Sequence, residues 1–189
     1  GKLLALPFTA DNGYIMYYDK SKLTADDVKS FDGILAKATA TNQFYFPFET
    51  GWYVSSFFLT VGDLEYIEGG LVNYKGALTD AQAAATAMVG YINNEKVVTK
   101  VESIGAQFAE GKILAGVSGT WDAAAVQQAL GENYAAVKLP TATIGGEQKQ
   151  LSSFAGYKLI GVNARSQHKE EALAYANFIS NEANQIRRV

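Results

Sequence analysis

The 189-residue chain reads as an α/β domain: an open, mixed and mostly parallel sheet with helices on both faces. Short aliphatic and aromatic runs of strand type alternate with longer segments of helical periodicity. The hydrophobic content, 48%, is enough for a core without disulfides or metal. No internal repeat or low-complexity linker interrupts the alternation, so one compact domain over 1–189 is expected.

Leu3 to Phe8 and Gly13 to Tyr18 predict two strands, with the turn-forming Asp11-Asn12-Gly13 between them. Thr24 followed by Asp27 has the spacing of an acid-assisted helix start. Val28, Phe31, Ile34, Leu35 and Ala38 continue it to about Thr39. Phe44 to Phe48 is an aromatic strand, after which Thr50 is placed to cap a helix carrying Trp52, Tyr53, Phe57 and Phe58 that Gly62 stops. An alanine-rich helix follows from Ala81 to about Asn93, and another from Glu102 to Glu110 that Gly111 closes. Ile113 to Val117 is a buried-type strand, Ser118-Gly119-Thr120 a tight turn, and Trp121 to Leu130 a helix with Asp122 in its first turn. Tyr134 to Lys138 and Gly156 to Val162 are strands on either side of a loop containing Gly145-Gly146. Lys169 to Asn181 is a long helix leading into a last short one.

Sixteen basic and 19 acidic residues give a net charge of −3 with no long single-sign run, so nucleic acid is not an expected partner. The absence of cysteine removes thiol chemistry and Cys-based zinc sites. No calcium loop, Walker-type phosphate loop or dinucleotide fingerprint follows a strand, so no metal or cofactor is expected. No apolar run approaches the roughly 18 residues of a spanning helix, and the chain as given is expected to be soluble. It opens directly into a strand and ends within a helical pattern, as a piece of something longer would.

Gly116-Val117-Ser118-Gly119-Thr120 approaches a nucleophile elbow but has Thr120 where that motif needs glycine. The single histidine, His168, sits at a helix start as a solvated polar residue would. The pairs Asp26-Asp27 and Glu170-Glu171 are adjacent in sequence. They therefore point about 100° apart on a helix and suit first turns rather than acid/base chemistry. No catalysis is expected. A hydrolase using Ser118 would need a base and an acid converging on it.

Aromatic surface remains. Trp52 and Trp121 both fall at strand-to-helix turns, where ligands of an open α/β sheet collect. Sugar rings present apolar C–H faces and hydroxyl edges. A site for them takes flat aromatic platforms with a few carboxylates or amides, which Asp11, Asn12 and Glu49 can supply. Packing against a neighbouring element is the competing role for each tryptophan, and a plain turn role the competing one for Asp11.

The run Gly1-Lys2-Leu3-Leu4-Ala5-Leu6-Pro7 with Thr9 to Lys20 resembles the crossover segment of family 1 extracellular solute-binding proteins. Phe108, Gly111, Gly119 and Trp121 match that family's Phe-x-x-Gly…Gly-x-Trp segment. Val137 to Pro140 and Gly161 to Ala164 match pieces downstream. The resemblance covers nearly the whole chain, and its closest flavour is the maltose and maltodextrin binders that feed ABC importers. It implies a lobe of the type 2 periplasmic-binding-protein fold that binds maltodextrin or another oligosaccharide, without catalysis, in an extracellular or periplasmic protein anchored as a lipoprotein. It further implies a hinge, a missing first lobe and the membrane subunits of an importer as partners, the isolated lobe being monomeric. By resemblance Trp52 and Trp121 stack on sugar rings and Asp11 accepts sugar hydroxyls. Val101 and Thr50 depart from the family's aromatic and glutamate, and Glu49 stands beside Thr50. A lobe for a different oligosaccharide and a protein-interaction scaffold are the alternatives.

Overall fold

The structure is a computed structural model that describes residues 4–67 and 71–188. The chain divides into two compact units, Gly1–Gly13 with Ala155–Val189, and Tyr14–Phe154. No linker composition announces the division. The chain crosses from one unit to the other inside strand β1 (Leu6–Asp19) and again just ahead of strand β10 (Ala155–Ile160).

In the Tyr14–Phe154 unit, the second half of β1 pairs antiparallel with β6 (Ile113–Gly119) on one side and with β7 (Tyr134–Val137) on the other. Strand β2 (Gln43–Tyr45) lies parallel to β6, and the two-residue β5 (Val97–Val98) lies parallel to β2. The sheet is therefore mixed, as expected, but not mostly parallel: only the β6–β2 and β2–β5 pairs are parallel, because β1 runs antiparallel to each strand it pairs with. Alternation along β1 divides the core. Tyr14 and Met16 face one cluster with Phe31, Ile34, Phe44, Phe46, Phe57 and Tyr91, and Tyr17 faces a second with Tyr45, Ile104, Phe108 and Val126. Helices α1 (Phe31–Lys37), α2 (Gly51–Val61) and α3 (Leu78–Ile92) build the first cluster. Helices α4 (Ile104–Ala109) and α5 (Ala123–Leu130) build the second, so both faces are covered.

Local signals act where the sequence places them, with shifts in extent. Thr24 and Asp27 bond reciprocally, the Asp27 amide donating to Thr24 Oγ1 at 3.2 Å and the Thr24 amide to Asp27 Oδ2 at 2.8 Å. They start a 3-10 turn rather than the full helix. Ser30, at φ −141°, breaks the run and caps α1, its Oγ accepting from the Gly33 amide at 3.0 Å. Thr50 occupies the N-cap position of α2 without a side-chain cap bond, and Gly62 ends that helix as expected. Gly145 and Gly146, at φ +63° and +84°, form the two-residue turn of a hairpin, β8 (Thr141–Ile144) with β9 (Glu147–Gln150), where the sequence suggests only a loop. A second hairpin, β3 (Asp63–Ile67) with β4 (Leu71–Lys75), and strand β5 also go beyond the sequence reading.

Asp11-Asn12-Gly13 is not a turn. The backbone runs straight through it as β1, held by the ladder to β10 at Asn12↔Gly156 and Gly13↔Ala155, with register irregularities between Pro7 and Asn12. Long-range strand pairing outweighs the local turn preference of Asn-Gly here. In the same unit, α6 (Lys169–Ser180) and α7 (Glu182–Arg188) follow β10. Tyr157 and Leu159 on β10 and Leu173, Tyr175 and Phe178 on α6 are each more than half exposed. A cavity of about 430 Å³ separates Leu4–Leu6 and Ile160–Val162 from Leu173 and Ala176.

Candidate functional site

The three parallel strands of the Tyr14–Phe154 unit deliver their carboxyl ends, and the loops that follow, to one edge of the sheet. After β2 comes Phe46–Thr50, after β5 Thr99–Ser103, and after β6 a 3-10 turn, Thr120–Asp122, that leads into α5. In open α/β sheets this edge is where ligands sit. Glu49, Trp52 and Trp121 all belong to this unit.

Trp121 is 55% exposed, as a stacking platform requires. Its indole lies across Gly119, where an added Cβ would overlap the ring carbons. Gly119 has an ordinary φ of −68°, so the ring needs the missing side chain, not an unusual backbone.

Trp52 differs from the expected exposure. It lies in the first turn of α2, half-buried, with its ring stacked on Phe154 at 4.7 Å between centroids and 25° between planes. Tyr14 meets it edge-on at 6.0 Å. Its Nε1 is buried and has no hydrogen-bond partner among the described residues, an uncommon state for an indole N–H.

The Glu49 carboxylate is exposed and pairs with Lys100 Nζ at 3.0 Å, tying the loop after β2 to the loop after β5. A solvated pair of this kind contributes only about 0–1 kcal/mol, so its carboxylate exchanges partners at little cost. Asp11 and Asn12 belong to the other unit, on β1. Asn12 lies opposite Gly156, where an added Cβ would come within 3.0 Å of Asn12 Nδ2. The Asp11 side chain lies outside the described residues.

Sequence reasoning passed over a pocket of about 200 Å³ at the same edge. Tyr45, Ser118 and Asp122 line it together with Val101 to Ile104. The Ser118 hydroxyl donates to Asp122 Oδ2 at 2.6 Å. Asp122 stands at the N-cap position of α5 but makes no cap bond, forgoing an interaction typically worth ~1 kcal/mol. Burial pushes the Tyr45 phenol up to about 12, with Tyr53, Asp122 and Glu49 adding to the rise. Burial likewise raises Tyr53, where hydrogen bonding from Ser118 and from the Gly119 backbone opposes the shift and the Asp122 charge adds to it. The one available sequence signal was the i, i+4 spacing of a hydroxyl and a carboxylate around a strand-to-helix turn. Ser118 is thus bonded to a carboxylate and not to a histidine. His168 is solvated in the other unit, its Nδ1 4.0 Å from Glu171.

Among known proteins, the family described as "Bacterial extracellular solute-binding protein" matches residues 1–189. The galactooligosaccharide-binding protein of Bacillus subtilis (strain 168) is 34% identical over 178 residues, covering 89% of this chain and 39% of its own. A solved structure described as "with acarbose" superposes with a TM-score of 0.84 at 33% identity, covering 97% of this chain and 48% of its own. The maltodextrin-binding protein MalE1 from L. casei BL23, without ligand, superposes with a TM-score of 0.73 at 28% identity over 98% of this chain and 49% of its own. The chain spans about half the length, or less, of these relatives. Together with the mixed sheet covered on both faces, the full-length match shows that the chain belongs to the bacterial extracellular solute-binding protein family.

Proposed function

We propose that this chain supplies one wall of an oligosaccharide-binding cleft in a solute-binding protein that serves an ABC importer. The observation that carries the reading is Trp121, a half-exposed indole held over Gly119 at the carboxyl ends of three parallel strands. A flat apolar platform beside carboxylates suits a ring with C–H faces and hydroxyl edges. Glu49 is the proposed hydroxyl partner from the neighbouring loop. Trp52, with one face already on Phe154, offers its remaining exposed surface. Asp11 and Asn12 are proposed as further hydroxyl partners on the strength of the family resemblance. The galactooligosaccharide binder, the structure with acarbose and the maltodextrin binder among the relatives support an oligosaccharide without choosing its linkage.

The relatives' extra length supports a first lobe outside this chain as the opposite wall, and with it a hinge, importer membrane subunits as partners, and a lipid-anchored extracellular or periplasmic protein. No helix among the described residues is long and apolar enough to cross a membrane. Titration of the chain with maltotriose and with a galacto-oligosaccharide, followed by tryptophan fluorescence, tests the reading. Saturation in the millimolar range, lost on Trp121→Ala, is the expected result for a cleft with one wall. A full-length protein that binds neither sugar rejects it.

A further inference from the structure

We propose that Ser118 and Asp122 form a subsite that reads the hydroxyls of one neutral sugar ring, an inference that rests on the oligosaccharide reading and narrows it. Asp122 sits at the start of α5 yet gives its carboxylate to the Ser118 hydroxyl instead of the helix amides. A carboxylate offers about four lone-pair positions, and Ser118 occupies one. Ser118 is itself buried, at 8% exposure, so the pair is held in a fixed orientation where the pocket opens. The space, about 200 Å³, has the scale of a single sugar ring.

The charge of the lining selects the ring's chemistry. Glu102 and Asp122 contribute carboxylates, and none of the residues lining the pocket is a lysine, arginine or histidine. A hydroxyl donates to such an acceptor in a charge-assisted bond. A uronate would instead meet like charge with nothing to offset it. A ring lacking the matching hydroxyl would leave Asp122 desolvated and short of a partner, the situation in which polar sites discriminate most sharply. Trp121, next to Asp122 in sequence, is the platform for a further ring.

The test is calorimetric titration of the full-length protein that carries this chain, with maltotriose, galactotriose and trigalacturonate as probes. Asp122→Asn, Ser118→Ala and Trp121→Ala are compared with the parent, and thermal melting of each verifies folding. A neutral trisaccharide is expected to bind the parent, to lose about tenfold or more in affinity on Asp122→Asn, and to lose affinity on Ser118→Ala; trigalacturonate is expected not to bind. If Asp122→Asn melts early, Ser118→Ala decides. Undiminished affinity in the folded variants alongside loss in Trp121→Ala overturns the subsite and leaves the oligosaccharide reading standing. Trigalacturonate binding as tightly as the neutral sugars also overturns the subsite. A parent protein that binds no trisaccharide overturns both.

Discussion

Trp121 occupies the space that a side chain on Gly119 would fill, so the position of the platform is set by a missing atom. Gly119→Ala forces the indole to swing away. Because Trp121 is 55% exposed, the swing costs little in packing. The expected outcome is a change in stability below about 1 kcal/mol by urea unfolding. It is accompanied by a shift in tryptophan emission and a loss of sugar binding comparable to Trp121→Ala. Unchanged emission with unchanged binding would show that the ring does not depend on Gly119.

The two tryptophans separate on stability. Trp52 is stacked on Phe154 and flanked by Tyr14, so Trp52→Ala removes packing and is expected to cost about 2–3 kcal/mol. Trp121→Ala is expected to cost under about 0.5 kcal/mol. Parallel urea curves on the two variants check the contrast, and equal costs would refute it.

Alkaline pH provides a third test. The Tyr45 phenol ionises near 10.0 in the unfolded chain and is pushed up to about 12 in the folded one. Below pH 10 it is protonated in both states and its contribution is complete. Between pH 10 and 12 only the unfolded chain releases the proton, so stability falls as pH rises, by about 1.4 kcal/mol per unit for one such group. Tyr45→Phe is expected to lessen the fall of unfolding free energy across that window, the raised Tyr14, Tyr17, Tyr53 and Tyr91 carrying the remainder. An identical slope in the variant would show that Tyr45 does not carry it.

The hairpin turn predicts its own sensitivities. Gly145 and Gly146 both have positive φ, so Gly145→Asn is expected to be nearly neutral. Gly145→Val is expected to cost about 1–2 kcal/mol, read by thermal melting. Equal melting temperatures would argue against the turn type.

Tyr157, Leu159, Tyr175 and Phe178 are large apolar side chains left exposed on the unit that contains β10 and α6. The 189-residue chain alone is therefore expected to bind an apolar dye. Dye binding should diminish in a Leu159→Lys, Phe178→Glu variant. A dye-free chain would contradict the expectation.

Periodicity made much of this fold legible. β6 is a short apolar run buried along its whole length, and α3 an alanine-rich stretch of helical pattern. Asp11-Asn12-Gly13 misled because its turn preference is local, whereas the ladder to Gly156 and Ala155 comes from far along the chain. β5 has two residues, too few for any pattern to show. In the site, Trp121 was legible from its place after a glycine at a strand end. The packing of Trp52 was not, because Phe154 lies in a loop that nothing nearby in sequence connects to α2. Ser118 and Asp122 were visible singly, one as a failed nucleophile and the other as a helix-start acid, and only their mutual bond makes them a unit.

Tyr14 and Phe154, the first and last residues of the larger unit, both rest on Trp52. In the folded unit two distant points of the polypeptide are thus brought together. The loop-closure entropy of pairing Leu6 with Ile160 then falls on the short tails outside the clasp rather than on the long segment between them. A single indole in this arrangement thus joins the two points at which the chain enters and leaves the larger unit.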